Sequence, residues 1–480
     1  MARLCGIAAL ALALACAEKL PGRKLAAGIG SGLAVHAGSV AFLLDAVHPD
    51  DRSVPEDLRI GALWLDGRKV GAGVSSQTGM YEFSPRGSEL AFLAAWRFRE
   101  GEGELWTAAP GAEPQKISPR ARGFAWSPDG TRLAYVAPDA LGVRGQAPVR
   151  IDGLQAIAWS PDGKRIAARA AAAAGGKLYA VDAASGAARE IAPGTSDFAF
   201  APDGKLAALG PSPPKGGDRP LLLEGKEIGR ATAFTFSPDG KRLALLSTGQ
   251  RPGEAYGDLY ELQLPATLRL IAGKVSDWRW SDAGELVCLA RYDLRARAGT
   301  LMAGGREISA RVQNFSLYGR HLLYLVQAPL NGDFKLELWA ADLGSPSGAS
   351  RRIDEGVYGW DVSPDGSALY YKARCAGGPR SCALLRARLE GGLPELLAAG
   401  VAGFDLSRDG SRLLLQQPHR GAPRAVDLAV ISATGPPPRQ LEPFVEETDP
   451  GSRFADSSGK QIAYAVIAAG KGGVYLAEIP

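Results

Sequence analysis

A chain of 480 residues that is 46% hydrophobic carries ample core material, which excludes a disordered polypeptide. A formal charge of +4 over that length, with no run of Lys or Arg, excludes the basic stripe of a nucleic-acid binder. Gly (61) and Pro (33) are both enriched, so many turns are expected rather than long helices, and no apolar segment reaches the roughly 18 residues of a membrane-spanning helix.

The chain opens MARLCGIAALALALAC. Arg3 supplies a positive start and Cys5 to Ala15 an uncharged apolar stretch, the layout of a secretory signal peptide. Its L-A-L-A-C ending resembles the bacterial lipobox, in which cleavage falls before the Cys and the thiol takes a diacylglycerol. The resemblance implies a signal peptide over 1–15, lipid attachment at Cys16 and a tether over 16–30. It also implies a bacterial cell-envelope location, as a periplasmic or outer-membrane lipoprotein anchored to the membrane through that lipid. Ala13 stands where the pattern prefers Leu, and a plain secretory signal cut near Ala15 or Ala17 is the alternative. The G-I-G-S-G from Gly28 lacks the Lys and following helix of a phosphate loop and reads as a lead into the first repeat.

From Val35 to the C-terminus one unit recurs: an apolar or aromatic residue, S-P-D-G, one or two polar residues, then a short apolar strand. The clear copies are WSPDGTRLAYVA from Trp126, WSPDGKRIAARA from Trp159, FAPDGKLAALG from Phe200, FSPDGKRLALLS from Phe236 and VSPDGSALYYKA from Val362. Near copies begin at Phe83 and Leu406, and worn ones at Val35, Trp280, Phe315 and Phe454. In such a turn Pro fixes φ at the first central position, Asp tolerates the second, and Gly takes the left-handed conformation that ends it. A structural, turn-capping role is therefore expected for Asp129, Asp162, Asp203, Asp239, Asp365 and Asp409, in place of a metal or acid series. Segments such as ELWTAAPG from Glu104 and KLYAVDAASG from Lys177 read as a third strand, a turn and the start of a fourth. Four short strands repeating at roughly 40 residues is the pattern of β-propeller blades.

Steps between successive motif serines or their equivalents alternate long and short from Ser84 to Ser363, as duplicated blade pairs would. The fold class expected is all-β, a propeller of about eleven four-stranded repeats. Eleven exceeds the usual four to eight blades of one ring, so two propellers in tandem are expected, 31–250 and 251–480, with a single ring of ten or eleven blades as the alternative. The repeats resemble the propeller of TolB and the N-terminal propellers of prolyl-oligopeptidase-like peptidases. That resemblance is specific for fold and says little of function.

No G-x-S-x-G nucleophile elbow follows the repeats, and Gly344 to Gly348 (G-S-P-S-G) has Pro at the nucleophile position. The four histidines, His36, His48, His321 and His419, occur singly, without metal-ligand spacing, and packing or surface roles are expected for them. No catalytic residue, metal or cofactor is expected. Cys375 and Cys382 bracket A-G-G-P-R-S and are expected to form a disulfide in an exported protein, while Cys288 reads as a buried strand residue. The expected function is a non-enzymatic envelope scaffold that binds an envelope protein partner. A channel-active enzyme or sugar-binding protein of lyase or lactonase type, and a purely structural surface lipoprotein, are the alternatives. No small-molecule ligand is identifiable.

Overall fold

The computed structural model describes residues 22–479 except 29, 50–54, 56–57, 172–175, 196, 215, 250–255, 265–266, 331–332, 346–349, 377, 421–424, 447–451 and 467–471. Among the described residues there is no helix; every regular element is a strand, and all pairings are antiparallel, between consecutive strands except at the closing seam and at one pair between the tenth and eleventh units. Each motif copy does what its residues dictate. In the third repeat Gly123–Trp126 is the first strand, the turn reverses the chain, and Trp126 pairs with Leu133 at the start of the second strand.

Among the described residues the strands group into eleven four-stranded units in chain order, seven of them separate sheets. The seventh and eighth units share the 13-residue strand Arg306–Tyr318, which is the outer strand of one and the inner strand of the next. The tenth and eleventh are joined through the single pair Val445↔Val466. The fourth strand of the eleventh unit comes from the other end of the chain: Arg23–Ala27 pairs with Gly473–Glu478, Arg23 opposite Leu476 and Ala27 opposite Gly473.

Packing runs in the same cyclic order. One apolar cluster joins the first three units, and others join each later unit to its successor; Leu209, Leu221 and Leu245 bridge the fifth and sixth, and Ala244, Val275 and Cys288 the sixth and seventh. The last cluster sets Phe42 and Leu44 of the first unit against Ala463, Ala465 and Val474 of the eleventh, with Leu25 of the closing strand. Among the described residues the blades therefore form one ring, a β-propeller closed by its N-terminal strand. Two tandem rings would each need a closing contact of their own, and the expected boundary at residue 250 falls between Arg242–Ser247 and Gly257–Gln263, which are paired strands of one sheet.

The second strands lie deepest. Leu90, Ala91, Phe92 and Leu93 are all buried, on both faces of the sheet. Alternation of apolar and polar residues is expected from a half-exposed strand and is absent here, because each sheet is sandwiched between two neighbours and has no solvent face.

Candidate functional site at the closing seam

The motif aspartates are consumed within their turns. Asp129 accepts bonds from the Ser127 hydroxyl (2.5 Å) and the Thr131 amide (3.1 Å), and Ser127 Oγ in turn accepts the Arg132 amide (2.9 Å). The same relay recurs at Asp162, Asp239, Asp365 and Asp409. Asp203, whose copy has Ala201 in place of the motif Ser, takes the Lys205 amide and ammonium instead. The Ser127 and Ser363 hydroxyls, with amides of the same turns, hold Asp129 and Asp365 down at about 2. Asp162 and Asp239 are lowered for the same reason. The turn glycines, Gly130 and Gly240 among them, have φ of 72° and 69°.

A second device links blades. Arg242 donates to Gly284 O in the next turn (2.6 Å), and its guanidinium lies 4.9 Å from the Trp280 ring centre. Arg132 reaches Gly163 and Trp159 in the same way, and Arg165 reaches Gly204 and Phe200. The aromatics reach backwards: Trp126 Nε1 donates to Glu82 O (3.2 Å) and Trp159 Nε1 to Ala125 O (3.0 Å).

The backward bonds from the tryptophans join neighbouring first strands, which places the first strands at the inner edge of the ring. The residue just before each motif aromatic forms a belt there: Ala34, Glu82, Ala125, Ala158, Ala199, Thr235, Arg279, Asn314, Asp361, Asp405 and Arg453. One arc of the belt is small and apolar; the other carries charge. Burial raises the carboxyls of Glu82, Asp361 and Asp405 above their usual range, with the neighbouring Asp361 adding to the effect at Asp405 and Arg453 opposing it. Aligning the repeat copies and reading one position ahead of the aromatic is the signal that finds this belt in the sequence.

Asp405 and Arg453 of the belt line a cavity of about 1110 Å³ where the tenth, eleventh and first blades meet. Departures from the motif create it. His36 pairs with Ser39 across the tight turn Ala37–Gly38, with φ of 49° and 83°, whereas Trp126 and Leu133 enclose the longer Ser127–Arg132. The first blade's turn is thus shorter than its neighbours' and leaves space at the seam. Arg408 stands at the Pro position of the tenth turn, and Asp456 at that of the eleventh. His36 stacks on Phe83 with ring centres 5.9 Å apart, and burial, then the charge of Arg408, lower its pKa. Asp456 is occupied by the Ser458 hydroxyl and the Gln461 amide (2.8 Å). Arg453, Lys460 and Glu478 complete the charged lining, and Val35, Leu406, Phe454 and Ile479 supply apolar wall. The arrangement can bind a polar ligand through charge and hydrogen bonds; among the described residues no three His, Cys, Asp or Glu side chains group as a metal site.

Cys375 and Cys382 are joined by a disulfide across the connection between the second and third strands of the ninth blade. Cys288 is buried, which pushes its thiol up to about 12. Cys16 lies outside the described residues. His419 Nδ1 lies 2.6 Å from Asp427, and His321 lines a smaller cavity between the eighth and ninth turns. His36, expected to pack or to lie on the surface, packs on Phe83 and also lines the seam cavity; the short turn that places it there reads in the sequence only as a worn repeat.

No protein-family model matches the sequence, and no curated protein matches it. Among solved structures the chain is similar to a eukaryotic initiation factor at 14% identity and a TM-score of 0.43, over 75% of this chain and 96% of that one. It is similar to an oligogalacturonate lyase in complex with manganese at 13% identity and a TM-score of 0.36, over 95% and 98% of the two chains. TolB from Acinetobacter baumannii matches at 15% identity and a TM-score of 0.22, over 66% and 61%. These are likenesses of propeller architecture, and the function of none of them passes to this chain on that ground.

Proposed function

We propose that the protein is a non-enzymatic cell-envelope scaffold that binds a protein partner on the face opposite the S-P-D-G turns. The observation that carries this reading is a set of exposed apolar side chains on that face. Leu294 projects from the seventh blade, Leu330 and Phe334 from the long hairpin of the eighth, and Tyr358 from the link to the ninth; Leu294 and Tyr358 are each 57% exposed. Large apolar and aromatic residues on consecutive loops are the usual anchors of protein interfaces.

Lipid attachment at Cys16 would orient this face. Arg23–Ala27 begins opposite Leu476 and ends opposite Gly473, so Arg23 stands at the turn side of the eleventh blade. A tether from Cys16 to Gly22 spans roughly 20 Å at most, which would hold the turn side toward the membrane and the loop face away from it. Cys16→Ser should abolish fatty-acid labelling, and an unlabelled wild-type protein would remove the anchor from this reading.

The binding reading is tested with a photo-reactive residue placed at Leu294 or Phe334, and at Lys164 on the turn face as a control. A single defined adduct from the loop face, lost in Leu330→Asp, supports it. Equal cross-linking from both faces, or none, refutes it. The seam cavity favours the second reading, a ligand-binding or channel-active propeller, through the charged groups gathered around His36.

A further inference from the structure

We propose that the seam cavity is a binding site for a phosphate-bearing ligand, held by Arg408 of the tenth blade and Lys460 of the eleventh with His36 of the first. The inference rests on the seam alone and is independent of the partner face and of where the protein resides.

Six of the turns on this face carry Pro at the position after the motif Ser or Ala: Pro85, Pro128, Pro161, Pro202, Pro238 and Pro364. At the seam that position is Arg408 in the tenth blade and Asp456 in the eleventh, and the first blade has instead the shortened turn behind His36, so polar groups stand where those six turns present an inert ring. Neither the Arg408 guanidinium nor the Lys460 ammonium has a hydrogen-bond or ion-pair partner among the described residues, although both line the cavity. The three carboxylates present do not cancel them. Asp456 is bonded within its own turn, and Asp405 sits on the inner belt beside Arg453. Among the described residues Glu478 then remains as one carboxylate without a bonded partner against these two cations.

A guanidinium and an ammonium from different blades can each take separate oxygens of one tetrahedral phosphate, and His36 can donate to a third. A bound phosphate would also offset the Arg408 charge that disfavours protonated His36. The cavity exceeds what an inorganic phosphate fills, so Val35, Leu406 and Phe454 can seat the remainder of a larger phosphoester. Free phosphate and a phosphoester headgroup share the chemistry this site recognises.

The test is calorimetric titration of the full chain with inorganic phosphate and, separately, with sn-glycero-3-phosphoethanolamine. NMR titration of the histidines runs alongside. At least one probe should bind, the His36 pKa should rise on saturation, and Arg408→Gln with Lys460→Gln should weaken binding about tenfold or more. Arg86→Gln, on another turn of the same face, should leave binding unchanged. Preference for inorganic phosphate identifies a free anion as the ligand, and preference for the glycerophosphoester identifies a headgroup. Failure of both probes to bind, or equal affinity in the double variant and in Arg86→Gln, overturns the proposal.

Discussion

Replacing Arg242 with Ala should loosen the junction between the sixth and seventh blades by about 2–3 kcal/mol. The guanidinium makes three contacts there: a 2.6 Å bond to Gly284 O, a face-on position 4.9 Å from Trp280, and an ion pair with Glu261 at 3.6 Å. A hydrogen bond from a charged donor contributes about 1.5–3 kcal/mol and a partly desolvated cation–π contact about 0.5–1 kcal/mol, and the two share one group, so they do not simply add. The Glu261 pair contributes little to the loss, because Arg269 still holds that carboxylate at 3.1 Å. Lys should recover less than half, since it lacks the fork that bonds and stacks at once. Urea unfolding followed by tryptophan fluorescence measures this directly, Trp280 being itself a reporter. An Arg242→Ala midpoint equivalent to less than about 0.5 kcal/mol of destabilisation would show that the clasp is incidental to the fold.

Ser237→Ala should cost about 1 kcal/mol, because it strands the half-buried Arg242 amide that Ser237 Oγ accepts at 3.0 Å; thermal denaturation reads this. Gly240→Val should cost about 1–2 kcal/mol or more, since φ is 69° and a Cβ would sit 3.3 Å from Pro202; an unchanged melting temperature would contradict that turn geometry. Asp129 and Asp365 titrate at about 2 in the fold against 3.8 ordinarily, so their stabilisation is complete above about pH 4 and is lost as pH falls through about 2. The melting-temperature gap between the wild type and Asp129→Asn/Asp365→Asn should therefore close across that window, and a constant gap would exclude the carboxylates as its source. Cys288, pushed up to about 12 by burial, should resist alkylation at pH 8 until the protein unfolds; rapid labelling of the native chain would refute its burial.

The turns were legible because their chemistry is local. Pro, Asp and Gly at fixed offsets dictate the hairpin whatever surrounds it, and the same offsets counted the repeats. The disulfide between Cys375 and Cys382 was legible for the same reason, both residues flanking one loop. What escaped reading depends on other blades. The Arg132, Arg165 and Arg242 clasps occupy an ordinary polar position of the motif, and only the next blade makes them contacts. Ring size depends on where the last sheet finds its fourth strand, and Arg23–Ala27 looked like part of a tether. The seam cavity was hidden because it arises from one near copy and two worn ones, in which Arg408, His36 and Asp456 replace motif residues and so read as decay.

Closure of one ring by the N-terminal strand is tested most directly by a cross-link between its two ends. Ala26 lies opposite Val474, so Ala26→Cys with Val474→Cys should form an intramolecular disulfide in the monomer under mild oxidation. The bond should raise the melting temperature, and reduction should remove the gain. If the paired cysteines stay free in the folded monomer, or bond only between molecules, the N-terminal strand completes some other blade and the single eleven-bladed ring is wrong.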